Sequence, residues 1–170
     1  SGIDNTLATY RKFLLFKKGD PPLLKEVTAP KPIPIVLGLS GTESLTAAMV
    51  AKVRRQWENN RYLYERIFAE IDGLTLEAVK LVESYDLSQL GELMNICQGL
   101  LNALGVSNWE VEELIQIARD NGALGAKLTG GGGGGSMIAL CPDDPERVAA
   151  AIRRAGYRAM ITEIGGGNGS

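Results

Sequence analysis

Histidine is absent from all 170 residues, and cysteine occurs only twice. The first absence excludes a Ser-His-Asp arrangement within this chain and leaves acid–base work to Asp, Glu, Lys or Tyr. The second argues against a zinc site or redox motif, since Cys97 and Cys141 form no CxxC pair and have no histidine beside them. No metal site is expected among these residues. Cys97 falls on an apolar helical pattern and reads as core. Two cysteines fit a reducing cytoplasm. A strong charge of either sign is missing too. With 18 Lys+Arg against 20 Asp+Glu, the net charge is −2, so broad nucleic-acid or anionic-membrane binding is not expected. The basic cluster of Arg11, Lys12, Lys17 and Lys18 reads as a solvated edge strand. No apolar run approaches the ~20 residues of a membrane span, and no signal peptide opens the chain. Nor does methionine: the start, Ser1-Gly2-Ile3-Asp4-Asn5, reads like the interior of a longer protein.

Glycine is what the chain has in quantity. Six stand in a row, Gly130 to Gly135, between Lys127-Leu128-Thr129 and the apolar Ser136-Met137-Ile138-Ala139-Leu140. Flexible linkers carry serine and polar flanks, which this run lacks. Backbone without Cβ atoms takes positive φ and approaches a ligand closely, and successive N–H groups can surround an anion. The run does not meet the Walker pattern G-x-x-x-x-G-K-[ST], because Ser136 follows Gly135 and no lysine stands in place. A tight turn between helix and sheet needs fewer glycines than six. Phosphate contact and tight turn both stay open at this point.

Hydrophobic residues make up 45% and charged residues 22%, enough for one domain with a real core. Phe13 to Phe16 and Ile33 to Leu39 read as strands, with Lys18-Gly19-Asp20-Pro21-Pro22 as a turn between them. Pro34 argues for an edge strand or a late start. Met49, Val50, Val53 and Trp57 mark one face of a first helix; Ile67, Ile71, Leu74, Val79 and Val82 mark a second, whose breaks near Gly73 are undefined. Leu90, Leu93, Met94, Cys97, Leu100, Leu101 and Leu104 form a continuous stripe closed by Gly105. Ser107-Asn108-Trp109-Glu110 reads as a capping box opening a fourth helix, with Val111, Leu114, Ile115 and Ala118 inward and Asn121-Gly122 at its end. Met137 to Cys141 is a strand. Asp144-Pro145 starts a short helix that buries Val148 and Ile152 and closes at Gly156. Tyr157 to Ile164 is the last strand. The expected class is α+β, helices over a mostly antiparallel sheet.

Two further groups could carry chemistry. Asp4 is an Asx turn or helix cap on the bland reading and an acid–base carboxylate on the functional one. Thr42, Ser44 and Thr46 are either helix caps or a hydroxyl-rich helix start facing a polar ligand.

Three blocks then converge on a family. Ser1-Gly2-Ile3-Asp4-Asn5-Thr6, Leu90-Gly91-Glu92-Leu93-Met94-Asn95 with Leu104-Gly105-Val106-Ser107, and Gly122-Ala123-Leu124-Gly125-Ala126-Lys127-Leu128-Thr129 through Gly135 resemble the C-terminal half of the mevalonate kinases, within the GHMP small-molecule kinases. Thr46-Ala47-Ala48-Met49-Val50 is a weaker fourth block. The resemblance implies a ferredoxin-like GHMP kinase C-terminal domain over 31–165, preceded at 1–30 by the end of an N-terminal domain and followed by a loose tail at 166–170. It implies ATP-dependent phosphorylation of the mevalonate 5-hydroxyl, with Asp4 as general base or orienter, Asn5 and Thr46 at the substrate, and Gly130, Gly131, Gly132, Gly133, Gly134, Gly135 and Ser136 along the phosphates. Where the family motif usually reads alanine and cysteine, this chain has Gly131 and Ser136. The family's early lysine, Gly-Leu-Gly-Ser-Ser-type loop and magnesium ligand belong to an N-terminal half that is absent here. ATP and Mg2+ are thus expected cofactors, with the Mg2+ ligands mainly in that half. Mevalonate, ATP and the N-terminal half are the expected partners, with dimerisation through the helices as a further one, and the isolated chain is expected to be nearly inactive. The alternatives are another GHMP kinase, of phosphomevalonate or mevalonate-3 type, and a non-catalytic metabolite-binding or dimerisation domain.

Overall fold

Strict alternation along Ile33–Leu39 decides which way the sheet faces. In the computed structural model, which describes residues 13–17, 23–42 and 46–165, Val36 points into one core cluster and Ile33 and Ile35 into another. The described elements are β1 (Phe13–Lys17), β2 (Leu23–Val27), β3 (Ile33–Leu39), α1 (Thr46–Asn59), α2 (Arg61–Ser84), α3 (Leu87–Ala103), α4 (Trp109–Asp120), β4 (Gly125–Thr129), β5 (Ser136–Leu140), α5 (Pro145–Arg154) and β6 (Arg158–Ile164). The α+β class with an antiparallel sheet is as expected. Four strands run in the order β4-β5-β3-β6, each pair antiparallel, and β1 and β2 form a separate two-stranded sheet.

The period of two extends across the sheet. Val36, Ala126, Leu128, Met137 and Ala139 face α4 and α5, where Val111, Leu114, Ile115, Val148 and Ile152 are buried to 1% exposure or less. Ile33, Ile35 and Leu140 face the opposite layer, packed with Leu81 and Val82 of α2, Leu87 and Leu90 of α3 and Val27 of β2. Among the described residues, no helix is long and apolar enough to cross a membrane.

Several expectations are corrected. β3 is an inner strand, not an edge. Pro34 is tolerated because it stands at the strand's start, and its carbonyl accepts from the Cys141 N–H (3.1 Å). α2 is one helix of 24 residues running through Gly73 without a break. Val50 does not share the inward face of α1: it is 62% exposed, one step around the helix from half-buried Met49 and Val53. Ser107 and Glu110 do not form a capping box. Asn108 is the N-cap of α4, its side-chain oxygen accepting from the Val111 N–H at 3.0 Å. Cys97 is half-buried rather than deep in the core. β2 and β4 were not anticipated, β2 because Leu23 and Leu24 lie beside charged Lys25 and Glu26, β4 because its glycine-rich start reads as loop. By contrast, Asp144 caps α5 and Gly105, Gly122 and Gly156 take the positive φ expected of helix ends. The turn at Lys18–Pro22, the Ser1–Asn5 segment and the 166–170 tail lie outside the described residues.

β4 ends the sheet, yet its outer edge is not left open. Asn95 of α3 donates to the Leu124 carbonyl and accepts from the Ala126 N–H, at 3.2 and 3.1 Å. Arg119 of α4 donates to the Ala126 carbonyl at 2.9 Å, Gln98 of α3 accepts from the Leu128 N–H at 2.8 Å, and Lys127 Nζ donates to the Leu128 carbonyl at 2.8 Å. Side chains take the place of a fifth strand and protect the edge from other chains. The helix comes this close because Gly91 and Gly125 meet without side chains: a Cβ on Gly125 would stand 2.2 Å from the Gly91 carbonyl oxygen.

Candidate functional site

The six glycines form the connection between β4 and β5, whose last pair is Thr129 with Ser136. Gly130, Gly132, Gly133, Gly134 and Gly135 have φ of +82°, +76°, +77°, +142° and +92°, where other residues are strained. Gly131 is crowded instead, since a Cβ there would lie 2.5 Å from Thr46 Oγ1 in this packing. The run is therefore a defined conformation, not a flexible linker.

Three segments hold it. The Gly133 N–H donates to the Val106 carbonyl in the α3–α4 turn, at 2.6 Å. The Gly135 N–H donates to the Thr42 carbonyl at 2.7 Å and shares Ser40 Oγ at 3.1 Å, while the Ser40 N–H donates to the Gly135 carbonyl at 2.8 Å. Thr46, the first residue of α1, touches Gly131. Lys52 closes the triangle by donating to the Gly105 carbonyl at 2.6 Å, which ties α1 to the turn carrying Val106. Thr42 is held from its other side, its hydroxyl donating to Glu110 Oε1 at 2.8 Å, with Asn108 Nδ2 on Glu110 Oε2 at 2.6 Å.

The loop thus spends two of its N–H groups on its own support. Those of Gly131, Gly132 and Gly134 make no hydrogen bond to the described residues. Gly131 lies against Thr46, the first residue of α1, and the dipole at a helix start favours negative charge. Such an array, lacking Cβ atoms and next to a helix start, is suited to phosphate oxygens.

Of the residues named from sequence, Thr46 and Gly130 to Gly135 are brought together, with Ser136 at the loop's end. Thr46 is exposed and Thr42 is not available to a ligand, since its hydroxyl is bound to Glu110. Asp4, Asn5 and Ser44 lie outside the described residues. Lys127 donates to the Leu128 carbonyl and lies beside Cys97 of α3; burial pushes its ammonium pKa down, and the neighbouring Cys97 opposes that. Burial likewise raises the Cys97 thiol, with Lys127 opposing. Among the described residues, no group of three or more acidic or thiol side chains could hold a metal ion. The described residues therefore fit phosphate through backbone N–H groups and do not supply a Mg2+ ligand set.

Sequence reasoning gave Val106, Lys52, Glu110 and Gln98 no part in holding the loop. Gln98 left a signal: it is the polar interruption on the Leu90–Leu104 stripe, four residues after Met94 and three before Leu101. A polar residue on a buried stripe needs partners, and here it is 2% exposed.

Residues 78–158 match the family model described as GHMP kinases C terminal. The chain is 45% identical over 169 residues to a mevalonate kinase of Pyrococcus abyssi, covering 96% of this chain and 49% of that protein. Among solved structures it is similar to an L. major mevalonate kinase in complex with R-mevalonate, with TM-score 0.83 and 30% identity over 90% of this chain and 47% of that one. A Streptococcus pneumoniae phosphomevalonate kinase shares the fold at TM-score 0.74 and 16% identity, over 87% of this chain and 44% of its own. The chain spans about half the length of the curated relatives it matches.

Proposed function

We propose, for a chain that belongs to the GHMP kinase family, that it is the second half of an ATP-dependent kinase acting on the 5-hydroxyl of mevalonate. The observation that carries this reading is the glycine loop itself, in which the N–H groups of Gly131, Gly132 and Gly134 have no acceptor among the described residues and Gly131 lies against Thr46. Similarity to mevalonate kinases along nearly the whole chain supplies the substrate class.

In this reading ATP, when bound, supplies the γ-phosphoryl group, and an N-terminal half supplies most of its contacts and the Mg2+ ligands. The chain's own residues do the rest. The glycine-loop N–H groups face the oxygens on which negative charge is spread during transfer, where fixed donors act without reorganising. Thr46, whose position Gly131 sets, presents its hydroxyl to the substrate, and Asn5 acts with it in binding the substrate. Asp4 orients the attacking hydroxyl and receives its proton as the new P–O bond forms and the bond from the γ-phosphorus to the departing ADP oxygen breaks.

The test is the full-length protein with purified mevalonate and phosphomevalonate. Turnover of mevalonate, lost by well over tenfold in Asp4→Asn with the fold unchanged, is the expected result. Asp4→Asn turnover within about tenfold of wild type removes Asp4 from this role. A preference for phosphomevalonate makes the protein a different GHMP kinase.

A further inference from the structure

We propose that Gln98 is the positioning residue of the glycine loop, fixing the loop's N–H groups through a buried three-way hydrogen-bond junction. Its side-chain oxygen accepts from the Leu128 N–H at 2.8 Å, two residues before the loop begins. Its Nε2 donates to Ser107 Oγ at 3.2 Å and to Glu112 Oε1 at 2.8 Å. These partners fix the amide's orientation, because a backbone N–H requires the oxygen and a carboxylate requires the nitrogen.

The junction holds both sides of the loop at once. Leu128 leads into Gly130 along β4. Ser107 adjoins Val106, whose carbonyl holds Gly133 at 2.6 Å. The distance between β4 and the α3–α4 turn, and so the width of the loop, is set by one side chain on α3. At 2% exposure no water replaces it easily, and removing it leaves the Leu128 N–H unsatisfied in the interior. Asn95, one turn earlier on α3, bonds only Leu124 and Ala126, and so registers the strand without reaching the turn.

This rests on the kinase reading for its effect on turnover, but its structural content does not. Two variants in the full-length protein test it. Gln98→Leu keeps the volume and deletes the bonds. Gln98→His restores an acceptor and a donor while its ring is neutral, and loses the acceptor when charged. Glu112 of α4 faces this position, with Arg119 further along the same helix and Lys127 on β4. The Glu112 carboxylate favours the introduced imidazolium while burial and the positive charges of Arg119 and Lys127 oppose it, so the balance of these displaces its loss of charge from the ordinary histidine value of ~6.5.

The expected result for Gln98→Leu is a kcat lowered by about tenfold to a hundredfold, with KM for mevalonate little changed. Amide exchange at Leu128 and Gly133 speeds up. Gln98→His recovers turnover in alkaline buffer and loses it on acidification, along a limb that the wild type lacks. The proposal is overturned if Gln98→Leu leaves exchange at Leu128 and Gly133 as in wild type, or if the Gln98→His pH profile parallels wild type. Should wild type fail to phosphorylate mevalonate while Gln98→Leu still accelerates exchange at both amides, the kinase reading falls and loop positioning by Gln98 stands. If Gln98→Leu does not fold, the exchange and pH profile of Gln98→His decide.

Discussion

A methyl group on Gly131 would stand 2.5 Å from the Thr46 hydroxyl oxygen and 2.9 Å from the Thr46 Cβ. The first residue of α1 and the second glycine of the loop are in direct contact, and the absence of a side chain on one sets the position of the other. The next glycine meets backbone instead: a Cβ on Gly132 would lie 2.4 Å from the Val106 carbonyl oxygen.

That difference predicts an order of damage. Gly131→Ala must shift Thr46 together with the start of α1, because the Thr46 Cβ itself is too close, but Gly131 lies outside the left-handed region. Gly132→Ala must adopt φ near +76° and displace the carbonyl that Gly133 uses. Urea unfolding is expected to show a loss of about 2–4 kcal/mol for Gly132→Ala and a smaller one, about 1–2 kcal/mol, for Gly131→Ala. Equal losses, or the reverse order, would mean that Val106 does not hold the loop.

Helical glycines divide in the same way. A Cβ on Gly91 would sit 2.6 Å from both the carbonyl carbon and oxygen of Leu124, so Gly91→Ala pushes α3 off β4 and strains the Asn95 and Gln98 contacts. Gly73, in the middle of α2, has nothing within 4 Å of that position. Gly91→Ala is expected to cost about 3 kcal/mol or more, and Gly73→Ala to stabilise by about 0.5–1 kcal/mol through helix propensity. Thermal unfolding of the two variants reads the signs directly. A neutral Gly91→Ala would separate α3 from the support of the β4 edge.

The Tyr157 hydroxyl donates to the Glu113 carboxylate. That hydrogen bond, with a smaller contribution from burial, pushes the phenol from 10.0 up to about 12. The folded chain therefore keeps a proton that the unfolded chain releases. The contribution to stability is complete below about pH 10 and is lost as pH rises from there toward 12. Spectrophotometric titration of the wild type minus Tyr157→Phe isolates this phenol among the five tyrosines. Glu113→Gln is expected to bring its ionisation back toward 10. A Tyr157 that ionises at the same pH with and without the Glu113 carboxylate would show that the bond does not form in solution.

Much of the fold was legible residue by residue. Ile33–Leu39 was read with the bounds it has, and Asp144, Gly105, Gly122 and Gly156 marked helix ends correctly, because capping and positive φ are local requirements. The Leu90–Leu104 stripe gave α3. The misreadings fall where a distant partner decides. Pro34 looked like an edge signal, but β6 pairs beside it from the far end of the chain. Ser107 was read as the cap of α4 with Glu110, but its hydroxyl accepts from distant Gln98 and Asn108 takes the cap. β4 was hidden because its glycine start and its lysine suppress the strand pattern, and its pairing comes from β5 and from side chains of α3 and α4.

The candidate site divides along the same line. Sequence by itself determined that Gly130–Gly135 had to be unusual backbone and that Thr46 stood at a helix start, since torsional freedom and helix entry belong to single residues and their neighbours. Only the tertiary structure decided that the loop would be held by Thr42, Thr46 and Val106, that two of its N–H groups would be used for that support, and that Gln98 would join its two sides. Those contacts link residues tens of positions apart. Chain periodicity says which face of an element is buried, but which faces meet is settled by packing and hydrogen-bond satisfaction among elements that only the folded chain brings together.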